Sequence, residues 1–175
     1  MTSFIIKAHE KRTLPPQWAS TDAGCVFCKI IRGEAPAYKL YENDRVVAIL
    51  DIMPLRAGHA LVIPKVHIPR VSELPDEFAA ECGKVVSRVA RAIATAVENT
   101  ALNVVCNQEY AQAVNHVHYH IIPAPKPGSS ETAEKSDHVT QPLTQKEMHQ
   151  LEFESRNYLE EDSAKRLVDS IRARL

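Results

Sequence analysis

Three histidines stand at alternate positions in the stretch Asn115-His116-Val117-His118-Tyr119-His120-Ile121-Ile122-Pro123. In a β-strand the side chains at i and i+2 share a face, roughly 6.5–7 Å apart. The spacing therefore predicts a strand over 114–122 with His116, His118 and His120 on one face. Val117, Tyr119 and Ile121 face the other way, into a core. Pro123 has no N–H to give to a ladder and ends the strand. Imidazoles arranged in this way can bind a metal such as zinc or copper. They can also do phosphoryl chemistry, with one imidazole attacking phosphorus and its neighbours donating to phosphate oxygens. The plain alternative is a solvated strand or a tag, and the interleaved Val, Tyr and Ile in mid-chain speak against it. The triplet alone leaves metal and phosphate both open.

The rest of the chain must supply the frame that positions this row. Phe27, Ile30 and Ile31 suit a short helical turn with a buried face, stopped by Gly33. Residues 38–44 read as a strand running into an Asn43-Asp44 turn, and 45–51 as its hairpin partner. Pro54 ends that excursion. Residues 58–64 form a third strand, where Gly58 leaves backbone room near a ligand. A long helix begins near Pro75, with Asp76 and Glu77 at its positive end. Phe78, Cys82, Val85, Val89, Ile93 and Val97 give it an amphipathic stripe. Residues 102–107 are a fourth strand. After a polar stretch from Lys126, Thr144 and Glu147 have the spacing of a capping box. A last helix carries Leu167, Val168, Ile171 and Leu175 on one face, covering either its own domain or a partner. Trp18, the only tryptophan, could anchor the N-terminal segment. His9, His138 and His149 read as solvated.

Composition narrows the choices. The chain has 175 residues, 45% of them hydrophobic, and a formal net charge of -1, enough for one domain with a core. Nothing favours a nucleic-acid polymer as partner, which requires a basic surface. With 5 glycines and neither GxxxxGK[ST] nor GxGxxG, any phosphate must be held by side chains and isolated backbone groups. No apolar run is long enough for a membrane span, and the first residues lack the pattern of a signal peptide. The expectation is a cytoplasmic or nuclear protein whose Cys25, Cys28, Cys82 and Cys106 are thiols. Cys25 and Cys28 form a Cys-x-x-Cys, which can be half a zinc site completed by His67 and His116, or simply small residues of a turn.

The run from His116 to Ile122 resembles the signature of the histidine triad (HIT) superfamily of nucleotide hydrolases and transferases. The blocks Cys25–Pro36, Asp51–Pro54 and Gly58–His67 look like those of its Hint branch, in the same order, and the match covers roughly residues 25–125. The resemblance implies an α+β fold: a five-stranded antiparallel sheet with one long helix and a short N-terminal helix. Residues 1–24 are then an N-terminal extension, and 126–175 a linker and C-terminal helical extension. It implies a purine-nucleotide (AMP-like) ligand cleaved at the α-phosphate, with His118 as covalent nucleophile and His116 orienting it. His120 and His59 donate to phosphate oxygens. Asp51 holds the ribose, Asn107 and Gln112 contact the nucleotide, and Phe27, Ile30 and Ile49 flank the base. Ordinary core is at least as good a reading of Ile49, and a turn-forming carboxylate is the alternative for Asp51. No cofactor is required for catalysis, although some members bind structural zinc through residues matching Cys25, Cys28, His67 and His116. Members of this branch are homodimers, joined through the long helix and the 102–106 strand. Two departures stand out. The C-terminal region lacks the branch's tryptophan, and Ala113 stands where a Ser or Thr usually helps protonate the leaving group. Ala113→Ser is therefore expected to speed turnover of amidate substrates, read by amine release. The competing classes are a nucleotide-binding sensor or scaffold with negligible turnover, a dinucleoside polyphosphate hydrolase, and a zinc-dependent structural protein.

Overall fold

A computed structural model describes residues 22–109, 111–125 and 156–175, with Thr144, Glu147, Gln150 and Glu154 described singly. Trp18, His9, His138 and His149 fall outside these residues. A short 3-10 turn, Asp22–Gly24, leads into helix α1, Val26–Arg32. Gly33 closes α1 in the left-handed region at φ 78°, and its N–H returns to the Ile30 carbonyl, the terminus that glycine reaches without a Cβ penalty. The strands are β1 (Lys39–Glu42), β2 (Val46–Leu50), β3 (Ala60–Pro64), β4 (Leu102–Cys106) and β5 (Tyr119–Pro123). They form one sheet in the order β1-β2-β3-β5-β4, every pair antiparallel. Helix α2, Asp76–Ala96, lies between β3 and β4 in the chain, and α3, Glu161–Arg172, ends it. The fold is α+β, as the resemblance implied.

Local chemistry fixes the turns. Asn43 Oδ1 accepts from the Arg45 and Val46 N–H groups at 2.9 and 2.8 Å, setting the β1–β2 hairpin. Pro75 caps α2, and its carbonyl accepts from both Phe78 and Ala79. The Thr144–Glu147 capping box is formed: Thr144 N donates to Glu147 Oε2 at 2.8 Å, and Glu147 N donates back to Thr144 Oγ1 at 3.3 Å.

Strands β2 and β3 are buried along their whole length, because both faces of the sheet are covered. On one face α2 contributes Cys82, Val85, Val89, Ala92 and Ile93 to the larger core, joined by Val117 and Ile121. Helix α3 packs on α2 and β1, and its Val168 and Ile171 enter the same core. The C-terminal helix thus covers its own domain. On the other face α1 brings Cys25, Phe27, Cys28 and Ile30 against Val47, Ile49, Leu61 and Ile63 in a second, smaller cluster.

Two expectations are corrected. The strand of the histidine row begins at Tyr119, not at residue 114. Its neighbour β4 ends at Cys106, opposite Tyr119, and upstream residues find other partners: Val117 N donates to the Ile68 carbonyl at 2.8 Å. The space around Gly58 belongs to the core rather than to a ligand. A Cβ there would sit 3.1 Å from both Ile93 Cγ2 and Val97 Cγ1, at a φ of +89°. Gly58→Ala is therefore expected to destabilise the fold by about 2 kcal/mol or more, through backbone strain and overpacking. Denaturant unfolding checks this, and a midpoint equal to the parent's would refute it.

Candidate functional site

The imidazoles converge where β3 and β5 meet, and each is oriented by a hydrogen bond that fixes its tautomer. His118 is 2% exposed, and its Nδ1 lies 2.7 Å from the His116 carbonyl. A carbonyl only accepts, so Nδ1 carries the proton and Nε2 is left with a lone pair. Burial lowers the pKa of His118 against the opposing pull of that carbonyl and of Asp51. The result is a neutral imidazole with a nucleophilic Nε2. The Phe27 ring stands edge-on at 5.1 Å between centroids, and the His120 ring at 4.9 Å.

His120 and His59 form a chain. The Leu55 N–H donates to His59 Nδ1 at 3.1 Å, so the proton of neutral His59 sits on Nε2. That N–H faces His120 Nδ1 at 3.0 Å, which leaves the proton of His120 on its Nε2 as a donor. Burial brings His59 to about 4 and His120 to about 3, so both are neutral near pH 7. Asp51 Oδ2 lies 3.6 Å from His59 Nε2, and with His59 neutral this is not an ion pair. Asp51 Oδ1 accepts from Met53 N at 2.8 Å, the turn-forming role, with Oδ2 directed toward His59. Asp51, His59 and His120 offer ligand atoms within 4.8 Å of one another. The Leu55 N–H nonetheless consumes the His59 Nδ1 lone pair, so His59 Nε2 must hold a proton and cannot ligate while neutral.

His116 shows the opposite arrangement. It is fully buried, and its Nε2 lies 2.7 Å from the Pro64 carbonyl. The proton is therefore on Nε2, and the Nδ1 lone pair points at Cys25 Sγ and Cys28 Sγ, each 3.5 Å away. His67 Nδ1 is 3.1 Å from Cys28 Sγ, and all four ligand atoms lie within 4.8 Å of one another. Tetrahedral zinc with bonds of about 2.0–2.3 Å requires ligand separations of roughly 3.3–3.8 Å. The set can hold a metal, and the Pro64 carbonyl is the outer partner that a ligating imidazole ordinarily has. Burial pushes the Cys28 thiol well up, reinforced by Asp22 and Cys25 beside it. A cation in the cluster would reverse that penalty.

The remaining expected residues are placed as follows. Phe27, Ile30 and Ile49 are buried in the smaller cluster on the histidine face. Asn107 is half-buried just past β4. Gln112 was expected to meet the ligand, but the structure buries it fully as a brace. Its Oε1 accepts from Glu109 N at 2.8 Å, and its Nε2 donates to the Pro69 carbonyl at 2.8 Å. The same Nε2 lies 3.5 Å from the His116 carbonyl that orients His118. Three groups that set the tautomers, the Leu55 N–H and the Pro64 and His116 carbonyls, belong to the backbone and leave no mark in a sequence. Arg56 and Arg156, whose charges act on His59, could have been flagged only as cations.

An antiparallel α+β sheet with a buried row of neutral imidazoles where β3 and β5 meet defines a class of protein built around clustered histidines. The chain belongs to the HIT domain family, whose pattern matches residues 32–126, and it matches the Hint-like branch. It is 43% identical over 106 residues to the adenosine 5'-monophosphoramidase HNT1 of Saccharomyces cerevisiae, covering 60% of this chain and 65% of that one. It is 48% identical over 102 residues to the adenylylsulfatase HINT3 of Arabidopsis thaliana, covering 57% of this chain and 51% of that one. The alignments thus span less than two thirds of either relative. A crystal structure of a Zn-bound histidine triad family protein from Mycobacterium smegmatis superposes with a TM-score of 0.62 at 30% identity, covering 86% of this chain and 95% of that one.

Proposed function

We propose that the protein is a hydrolase or transferase of purine nucleotides that cleaves at the α-phosphate, acting on nucleoside 5'-phosphoramidates or related nucleotidyl substrates. The observation that carries this reading is the tautomer pattern: a lone pair on His118 Nε2 beside an N–H on His120 Nε2. His118 Nε2 forms a bond to phosphorus while the bond from phosphorus to the leaving group breaks, and the departing group keeps the electron pair and takes up a proton. Water then attacks phosphorus, frees the nucleoside monophosphate and restores the imidazole. His120 stabilises charge on the phosphate oxygens. His59, with both nitrogens engaged, acts by holding His120 in its donor tautomer rather than by touching phosphate. Asp51 Oδ2 takes the ribose hydroxyls, and Phe27, Ile30 and Ile49 border the base. The activities for which the yeast and Arabidopsis relatives are named support an adenosine nucleotide as substrate.

Cys25, Cys28, His67 and His116 would hold a structural zinc, which ties α1 to the nucleophile's neighbour and supplies no chemistry to the reaction. A second copy of the chain would pair through the free edge of β4, where Val104 is 46% exposed. The test of the reaction is to quench the protein during turnover of an adenosine phosphoramidate and weigh the intact chain. A mass increase of one adenylyl group with AMP accumulating is expected. AMP release with no adduct at any quench time would eliminate the covalent route. Tight AMP binding without adduct or release, on this substrate and on a dinucleoside polyphosphate, would favour a nucleotide sensor.

A further inference from the structure

The loop between β4 and β5 is held by a segment that takes no part in the sheet. Residues 107–115 contain no glycine, yet Glu109 and Ala111 sit in the left-handed region, at φ 59° and 57°. That conformation is unfavourable for a residue with a Cβ and persists only where neighbours hold it. The neighbours are residues 68–73, which follow His67. The Ser72 N–H donates to Gln108 Oε1 at 3.1 Å, Arg70 Nε donates to Glu109 Oε1, and Gln112 Nε2 donates to the Pro69 carbonyl at 2.8 Å. Arg70 also reaches Glu73 at 3.0 Å, within its own segment.

The same segment supports the nucleophile. The peptide group between His116 and Val117 is planar, with its C=O and N–H pointing opposite ways. Its N–H donates to the Ile68 carbonyl at 2.8 Å, and its C=O accepts from His118 Nδ1 at 2.7 Å. Ile68 thus fixes the plane of the group that sets the His118 tautomer. Arg70 follows in the same stretch and fastens it to the loop. Both side chains of the Arg70–Glu109 pair are 34% exposed, so the pair can be removed without opening the core.

We propose that Arg70 is a positioning residue. Its ion pair with Glu109 holds the Ile68 carbonyl, and with it the His116–Val117 peptide, in the orientation that keeps the proton on His118 Nδ1. Arg70 itself touches neither substrate nor the reacting atoms. The inference rests on His118 being the nucleophile, as read above.

The test on the full chain combines kcat and KM on an adenosine phosphoramidate with the nitrogen-15 resonances of the His118 imidazole near pH 7, assigned by their loss in His118→Ala. In Arg70→Gln, kcat is expected to fall roughly fivefold, the scale of one exposed charge pair, with KM held within about twofold. The His118 resonances are expected to move toward those of a mixed tautomer. Glu109→Gln should do the same, and the double variant no more than either alone, because the two side chains act as a unit. Arg70→Lys should keep most of kcat, and Glu73→Gln all of it. An unchanged kcat and tautomer in Arg70→Gln would overturn the proposal and leave His118 as nucleophile. A fall in kcat with the tautomer unmoved, or additive losses in the double variant, would overturn it too. A wild type that turns over no phosphoramidate would remove the nucleotide reading and the role of Arg70 with it.

Discussion

Replacing His118 with alanine is expected to lower kcat on an adenosine phosphoramidate by roughly a thousandfold or more, the usual scale for loss of a nucleophile. The expectation follows from the proton on Nδ1. With the His116 carbonyl at 2.7 Å holding that proton, Nε2 is the free base, and no other described imidazole in the row offers the same atom in the same state. His120 presents an N–H at its Nε2, and the His116 Nδ1 lone pair points into the thiol cluster. AMP affinity should change far less than kcat, because the contact being lost forms mainly in the transition state. Circular dichroism and AMP titration would show that the variant is folded and binds ligand. A rate within tenfold of the parent, with no adduct on either protein, would mean that nucleophile and route are both misassigned.

The second large effect concerns the cluster of two thiols and two imidazoles. Full chelation, or Cys28→Ser, is expected to abolish stoichiometric zinc and to lower the melting temperature substantially. A ligand present at a thousandfold its dissociation constant stabilises by about 4 kcal/mol. For a chain of this size that is about 8–16 °C. Metal analysis of the purified protein alongside thermal melts, with and without chelator, checks both halves. A metal-free protein with an unshifted melt would leave Cys25 and Cys28 as ordinary small residues of the first helix. Activity should fall together with stability, because the residue that offers Nδ1 to the metal offers its carbonyl to His118.

Much of this was legible in the chain. The alternation at His116, His118 and His120 separated an imidazole face from an apolar one. That separation survives even where the ladder does not, since Val117 and Ile121 enter the larger core while the histidines face α1. Periodicity found the buried stripe of α2, and residue type and spacing brought together, across 91 residues, the four groups that lie close enough to hold a metal ion. What failed to read through depended on neighbours that no local pattern encodes. The strand began late because β4 ends at Cys106, opposite Tyr119. The space at Gly58 was claimed by Ile93 and Val97, which are remote in sequence. The last helix announced an apolar face without saying what it would cover.

The two unequal hydrophobic layers have a consequence for where the molecule opens. Stability in a domain is graded, and regions that rest on few buried contacts exchange their amide hydrogens through local events, well below the cost of global unfolding. Helix α1 rests on the smaller layer, whereas α2 and α3 share the larger one. The amides of α1 should therefore exchange in a cooperative unit of their own, ahead of β2 and β3, and the gap should widen when the thiol cluster is stripped of metal. Mobility would then be confined to the wall beside the imidazoles, with the sheet that aligns them held rigid from behind.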